Sequence, residues 1–152
     1  MEENRSHWFN TEIREGKTYV FDPLRNRFVL LTPEEKVRQG VLRYLVEQKG
    51  VPRGLLAVEY SIKVNGLDKR CDAVVFSKDG KPLMIVECKA PDVLLTPNTL
   101  AQALRYYSAL YPRFLLLSNG SVTNCFQVKK GSLRVMDFVP NYAEMGDNEV
   151  EI

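Results

Sequence analysis

The stretch Cys71–Pro91, CDAVVFSKDGKPLMIVECKAP, decides the fold. Two strand-forming apolar runs flank Asp79-Gly80, a dipeptide that favours tight hairpin turns because those turns need positive φ. Counting outward from a two-residue turn sets Lys78 opposite Lys81 and Asp72 opposite Glu87. Directly opposed side chains on one face have Cβ atoms roughly 4.5–5.5 Å apart. Strand alternation then puts Lys89 on the face of Glu87, with Leu83 and Ile85, while Met84, Val86 and Cys88 point the other way. Apolar residues on both faces predict a central strand covered on both sides.

The flanking segments extend this frame. Thr32-Pro33-Glu34-Glu35 opens the clearest helix, with Thr32 as N-cap, Pro33 at the first helical position and Glu35 completing a capping box. Val37, Val41, Tyr44 and Leu45 form its apolar stripe, and Gly50 stops it. LAVEYSIKV precedes Asn65-Gly66, a second hairpin signal, and counting outward there sets Glu59 opposite Asp72. A longer loop over NGLDKR is the alternative there, and one residue of slip would exchange the two faces. TPNTLAQALRYYSALYP reads as a second helix ending before Pro112. RFLLLSNG reads as a buried strand, SVTNCFQVKKGSLRVMDF as a closing hairpin, and TYVFDPLRNRFVLLT as an opening hairpin that turns near PLRN. Together these predict an α/β sandwich around a mixed sheet. Residues 1–16 are expected to form a flexible lead-in, 17–140 a single domain, and 141–152 a frayed acidic tail.

Composition narrows the function classes. A chain of 152 residues with 45% hydrophobic and 26% charged residues suits one compact domain. No segment approaches a membrane span, and the polar opening is not a signal peptide. Cys71, Cys88 and Cys125 are odd in number and form no CxxC pair, so a reducing cytoplasm is expected rather than a disulfide framework. A lone histidine, His7, argues against multi-imidazole metal chemistry and is expected on the surface. The chain has no GxxxxGK and no GxGxxG. A net charge of +2 neither requires nor excludes a nucleic-acid partner.

Two opposed carboxylates at the end of a buried strand pair repel unless something offsets them. Mg²⁺ would, because it takes hard oxygen ligands and keeps several waters. Asp72, Glu87 and the Cys88 backbone carbonyl are the expected protein ligands, with Mn²⁺ as a substitute ion. Lys89 would position or deprotonate the attacking water, an arrangement suited to phosphodiester hydrolysis. A plain ion pair at a sheet end is the competing reading. Glu34, on the line of Val37 and Val41, is favoured over Glu35 as a further acid, and is expected to act through water. A first-turn acid serving the helix dipole competes with that choice. Cys88, facing the core, is expected to be a buried thiol rather than a nucleophile. Gln102 and Tyr106, four residues apart on the second helix, share a face that could hold Lys89 or touch a DNA phosphate. Lys69, Arg70, Arg105, Arg113, Lys129 and Lys130 could line a backbone-binding cleft, and Arg70 and Arg105 are the preferred DNA contacts.

CDAVVF…MIVECKAP followed by QALRYY resembles the PD-(D/E)XK nuclease superfamily, and is most similar to the N-terminal nuclease domain of type I restriction enzyme R subunits. The resemblance runs from about Phe21 to Val128 and includes FDPLRNRFVLLTPEEKVRQ and FLLLSNG. It implies a restriction-endonuclease-like core: helix, three-stranded antiparallel meander, helix, strand, with the N-terminal and C-terminal hairpins added. It implies Asp72 and Glu87 as metal ligands, Lys89 as the catalytic lysine, Gln102 and Tyr106 as the adjoining helix motif, and a helix glutamate, Glu34 or Glu35, in the site. The superfamily's Pro is replaced by Cys71, and the R subunit's ATP-driven motor is absent from these residues. The expected function is a metal-dependent endodeoxyribonuclease domain acting on DNA, with other restriction-modification subunits as partners. The alternative is a non-catalytic nucleic-acid- or partner-binding module on the same fold.

Overall fold

The computed structural model describes residues 8–130 and 132–146, apart from the side chains of residues 107 and 108. A three-stranded antiparallel sheet comes first: β1 (Thr11–Arg14), β2 (Lys17–Asp22) and β3 (Arg27–Leu30). Helix α1 (Pro33–Glu47) leads through a 3₁₀ turn into the meander β4 (Leu56–Val64), β5 (Leu67–Phe76) and β6 (Pro82–Cys88). Helices α2 (Pro97–Leu104) and α3 (Tyr107–Leu110) cross over to β7 (Phe114–Ser118), which lies parallel to β6. The antiparallel strands β8 (Thr123–Lys129) and β9 (Ser132–Met136) complete a mixed sheet in the order β4-β5-β6-β7-β8-β9, and α4 (Tyr142–Met145) follows. This is the restriction-endonuclease-like order of helix, meander, helix and strand.

The sheet is covered on both sides. Val37, Val41, Leu42 and Leu45 of α1 pack with Ala73, Val75, Met84, Val86, Cys88 and Leu116. On the opposite face, Leu100, Leu104, Tyr106 and Leu110 pack against Cys71, Val74, Ile85 and Leu115. Strand β7 is buried at every position: Phe114–Leu117 as an apolar run requires, and Ser118 with its hydroxyl bonded to Thr123 Oγ1 and the Gly120 N–H. Tyr44, placed on the α1 stripe by periodicity, is exposed, and Leu42 takes its place.

Several expectations are refined. At Asn65-Gly66 the register is the one counted from sequence: Val64 faces Leu67 and Ala57 faces Val74, with φ of 52° and 79° in the turn. At Asp79-Gly80 the turn is longer than two residues. Ser77 N–H bonds Lys81 O at 2.8 Å and Gly80 N–H bonds Ser77 O at 3.0 Å, so Lys78 does not oppose Lys81. Gly80, at φ +83°, takes the left-handed position that closes such a loop. An irregularity between Val75 and Phe76 absorbs the extra residue, leaving Leu83 outside the ladder, and Ala73 again faces Val86. Leu83 therefore joins the α1 core, not the face of Ile85.

The second helix also differs from a single continuous one. It tightens after Leu104, where Arg105 N–H bonds Gln102 O and Tyr106 N–H bonds Ala103 O, both i to i−3. At the chain ends, the lead-in supplies β1 and the buried Trp8, and the tail supplies α4 with the fully buried Met145. Residues 1–7, including His7, lie outside the described residues, as do 147–152.

Candidate nuclease site

The site forms beside the middle of β5 and the end of β6. Strand pairing carried one step past Ala73–Val86 brings Asp72 alongside Glu87, as expected from sequence. Asp72 Oδ2 accepts the Cys88 backbone N–H at 2.7 Å, and Oδ1 accepts from Arg38 Nη1 at 3.3 Å. Glu87 Oε1 is buried without a hydrogen-bond partner. Burial first, then the Asp72 charge, pushes the Glu87 carboxyl up to about 7, and Lys89 pulls the other way. Asp72 is also raised, mainly by burial, while the Cys88 N–H, Arg38 and Lys89 oppose the rise. Glu34 raises both acids. Asp72 and Glu87 thus each lie within electrostatic reach of the other, of Lys89 and of Glu34. Lys89 is anchored by its backbone N–H to Ser118 O at 2.8 Å.

The helix motif lies beside this patch. Tyr106 OH donates to Arg70 O at 3.0 Å. Burial and the nearby Glu87, Cys71 and Asp72 push the phenol up to about 12. Gln102 is half-buried on α2, and its carbonyl also accepts from Arg105 Nε at 3.3 Å. Lys69 and Arg70 lie on β5 just before Asp72. Arg113, Lys129 and Lys130 lie away from it, because Arg113 N–H bonds Leu83 O at the end of β6 opposite Glu87 and Val128 N–H bonds Arg113 O. Cys88 is fully buried and its thiol is held well up by desolvation, as suits a core residue.

Glu34, favoured from sequence as the inward acid, is exposed, and Glu35, the second choice, is the acid that α1 buries. Thr32 Oγ1 caps the Glu35 N–H at 3.0 Å, but the Glu35 carboxylate turns inward to Arg25 and Arg38, each at 3.0 Å to one oxygen. It also accepts from Gln39 Nε2 at 3.0 Å. Glu59, with φ of 55° inside β4, meets Arg25 at 3.3 Å, Arg38 at 3.2 Å and Arg70 at 3.3 Å. Both acids serve as counterions to arginines. Sequence reasoning missed Arg38, Arg25 and Gln39. The available signal was the i,i+3 spacing of Glu35 and Arg38, which an exposed helix face shows equally often.

The family model described as Type I restriction enzyme R protein N terminus (HSDR_N) matches residues 33–140. The chain belongs to that family. The match spans Asp72, Glu87, Lys89, Gln102 and Tyr106 and leaves out β1–β3. No curated protein matches the chain. Among solved structures, a fragment assigned to the HsdR subunit of a type I restriction enzyme from Vibrio vulnificus YJ016 is similar at a TM-score of 0.58 and 21% identity. That likeness covers 76% of this chain and 24% of the other, so the family member described here spans about a quarter of that relative. A protein assigned as a nuclease from Anabaena variabilis ATCC 29413 is similar at 0.46 and 11% identity, over 86% of this chain and 78% of the other.

The donor set accords with a hard divalent cation on one count. Two carboxylates share a desolvated corner, and one oxygen, Glu87 Oε1, has nothing to bond. Among the described residues, no three His, Cys, Asp or Glu side chains stand in a metal-holding arrangement, so water would complete the shell.

Proposed function

We propose that this domain is a metal-dependent endodeoxyribonuclease that hydrolyses DNA phosphodiester bonds. The observation that carries the reading is the half-buried Asp72–Glu87 pair, with its enclosed, unbonded Glu87 oxygen and Lys89 within electrostatic reach. Asp72, Glu87 and the Cys88 carbonyl would hold Mg²⁺ or Mn²⁺, with Glu34 adding a contact through water. The ion would supply charge stabilisation at a phosphoryl oxygen. Lys89 Nζ positions the attacking water. Gln102, Tyr106, Arg70 and Arg105 face the DNA backbone, where arginines serve as phosphate donors. Membership in the R-subunit family makes other restriction-modification subunits the expected partners.

Purified chain incubated with plasmid, linear and single-stranded DNA across a metal series is expected to cut with Mg²⁺ or Mn²⁺ and to stop with chelator. Lys89→Ala should lose about a hundredfold or more in rate while keeping a wild-type melting curve. Full activity in that variant removes Lys89 from the mechanism. A second reading, a non-catalytic DNA- or partner-binding module, draws support from Arg38 already bonding Asp72. Calorimetry distinguishes the two, because that module would bind DNA and take up no Mg²⁺ or Mn²⁺.

A further inference from the structure

We propose that Arg38 is the positioning residue for the Asp72 carboxylate, and that the β2–β3 turn, through Arg25, is part of the same assembly. The inference rests on the nuclease reading above and adds to it Arg38, within the family match, and Asp22 and Arg25, which lie before its start at residue 33.

Arg38 joins three elements through one guanidinium. It donates to Glu35 on its own helix, to Glu59 of β4 at 3.2 Å and to Asp72 of β5 at 3.3 Å. Its nearest partner is Glu35, which it meets through both Nε and Nη2, so the fork is fixed from the helix side and presents Nη1 to Asp72. Arg25 secures the other end. Its guanidinium reaches Asp22 at 2.5 Å, Glu35 at 3.0 Å and Glu59 at 3.3 Å. Gln39 Nε2 ties Asp22 to Glu35, at 3.1 and 3.0 Å. Asp22 and Gln39 are fully buried.

Asp72 is thereby held at both oxygens, by Arg38 on one side and the Cys88 N–H on the other. Glu59 adopts a left-handed backbone inside a strand, directly between the Val58–Ala73 and Tyr60–Cys71 pairs, and its carboxylate meets both arginines. Strain of that kind persists where surrounding contacts over-determine it, often beside functional sites. A network serving stability alone would need no arm to Asp72. Residues that orient a metal-binding carboxylate from behind affect ion affinity although they never touch the ion.

The test uses the full chain with Arg38→Lys and Arg25→Lys. Lysine keeps the charge and loses the planar fork, so any change reports geometry rather than electrostatics. Mn²⁺ affinity by calorimetry, DNA cleavage and thermal melting are measured together. Arg38→Lys is expected to weaken Mn²⁺ binding and cleavage by about tenfold or more, with Arg25→Lys weaker in the same direction and both melts cooperative. Arg38→Lys that folds, binds Mn²⁺ and cuts like wild type overturns the inference. If Arg38→Lys does not fold, Glu59→Gln takes its place, because Glu59 is partly exposed and touches both arginines. Reduced Mn²⁺ affinity in that variant supports the inference, and unchanged affinity overturns it. A wild-type chain that neither binds Mn²⁺ nor cuts DNA instead removes the nuclease reading, and this inference with it.

Discussion

Burial first, then Asp72, pushes the Glu87 carboxyl up to about 7 from an ordinary 4.5. The folded protein therefore holds more protons than the unfolded chain between those two values. Stability from this group is full below about pH 4.5 and is lost as pH rises through about 7. In chelator, wild type should lose stability from about pH 5 to pH 8 more steeply than Glu87→Gln, by at most about 3 kcal/mol. Mn²⁺ added at the upper pH should raise the wild-type melting temperature and leave Glu87→Gln nearly unmoved, since the ion favours the charged form. Parallel melting curves for the two proteins would mean that Glu87 is not buried beside Asp72. Which residues meet here was legible because the β5–β6 hairpin is local in sequence. Arg38 was not legible. It sits in the polar run Glu34-Glu35-Lys36, Arg38-Gln39, which reads as a solvated helix face until the N-terminal sheet covers part of it.

The β5–β6 hairpin shows how a correct pairing can arise from an incomplete account of the turn. Sequence supplies the turn dipeptide, but the loop gains one residue when Ser77 and Asp79 bond through their side chains. The irregularity beside Leu83 takes that residue back out, and inward pairing is restored. Burial on both faces explains the correction, because a one-residue slip would send Val74 and Ile85 toward α1. Glycines in two other elements give contrasting tests. Gly40 lies inside α1, and a Cβ there would have nothing within 4 Å. Gly40→Ala should stabilise the protein by about 0.5–1 kcal/mol, since alanine loses less backbone freedom in a helix. Gly120, in the β7–β8 turn, has φ of +93° and a Cβ there would lie 3.2 Å from Val37 Cγ2. Gly120→Ala should cost about 1–3 kcal/mol. Urea midpoints with unchanged slopes measure both. A neutral Gly120→Ala would place the β7–β8 turn in another conformation.

Across the whole molecule, the layers were readable because each side of the sheet has its own apolar set, one facing α1 and the other facing α2 and α3. The covering pieces at the chain ends were harder to see. They are short, polar in composition and held by contacts from distant parts of the chain, so periodicity does not mark them, and the one local signal is the Asn141–Glu144 capping pair of α4. Trp8 reaches the α1 core from the N-terminal side. At the other end, the polar-looking Asn141-Tyr142-Ala143-Glu144-Met145 docks through Tyr142 N–H to Lys49 O at 2.7 Å and Tyr142 OH to Phe76 O at 2.9 Å. Met145 is fully buried in the core that also holds Leu45, Leu56, Val75 and Met84. A frayed tail would tolerate loss of that side chain. A docked one would not, because truncating a buried methionine removes its transfer free energy and leaves a cavity. Met145→Ala should therefore cost about 2–5 kcal/mol in urea unfolding. Tyr142→Phe, which keeps the ring and loses the bond to Phe76 O, should cost about 1 kcal/mol. Because α4 docks on Lys49 and Phe76 and on none of the Asp72 partners, Mn²⁺ affinity at a temperature where both variants are folded should match wild type. An Met145→Ala chain as stable as wild type would show that the terminal segment adds nothing to the core.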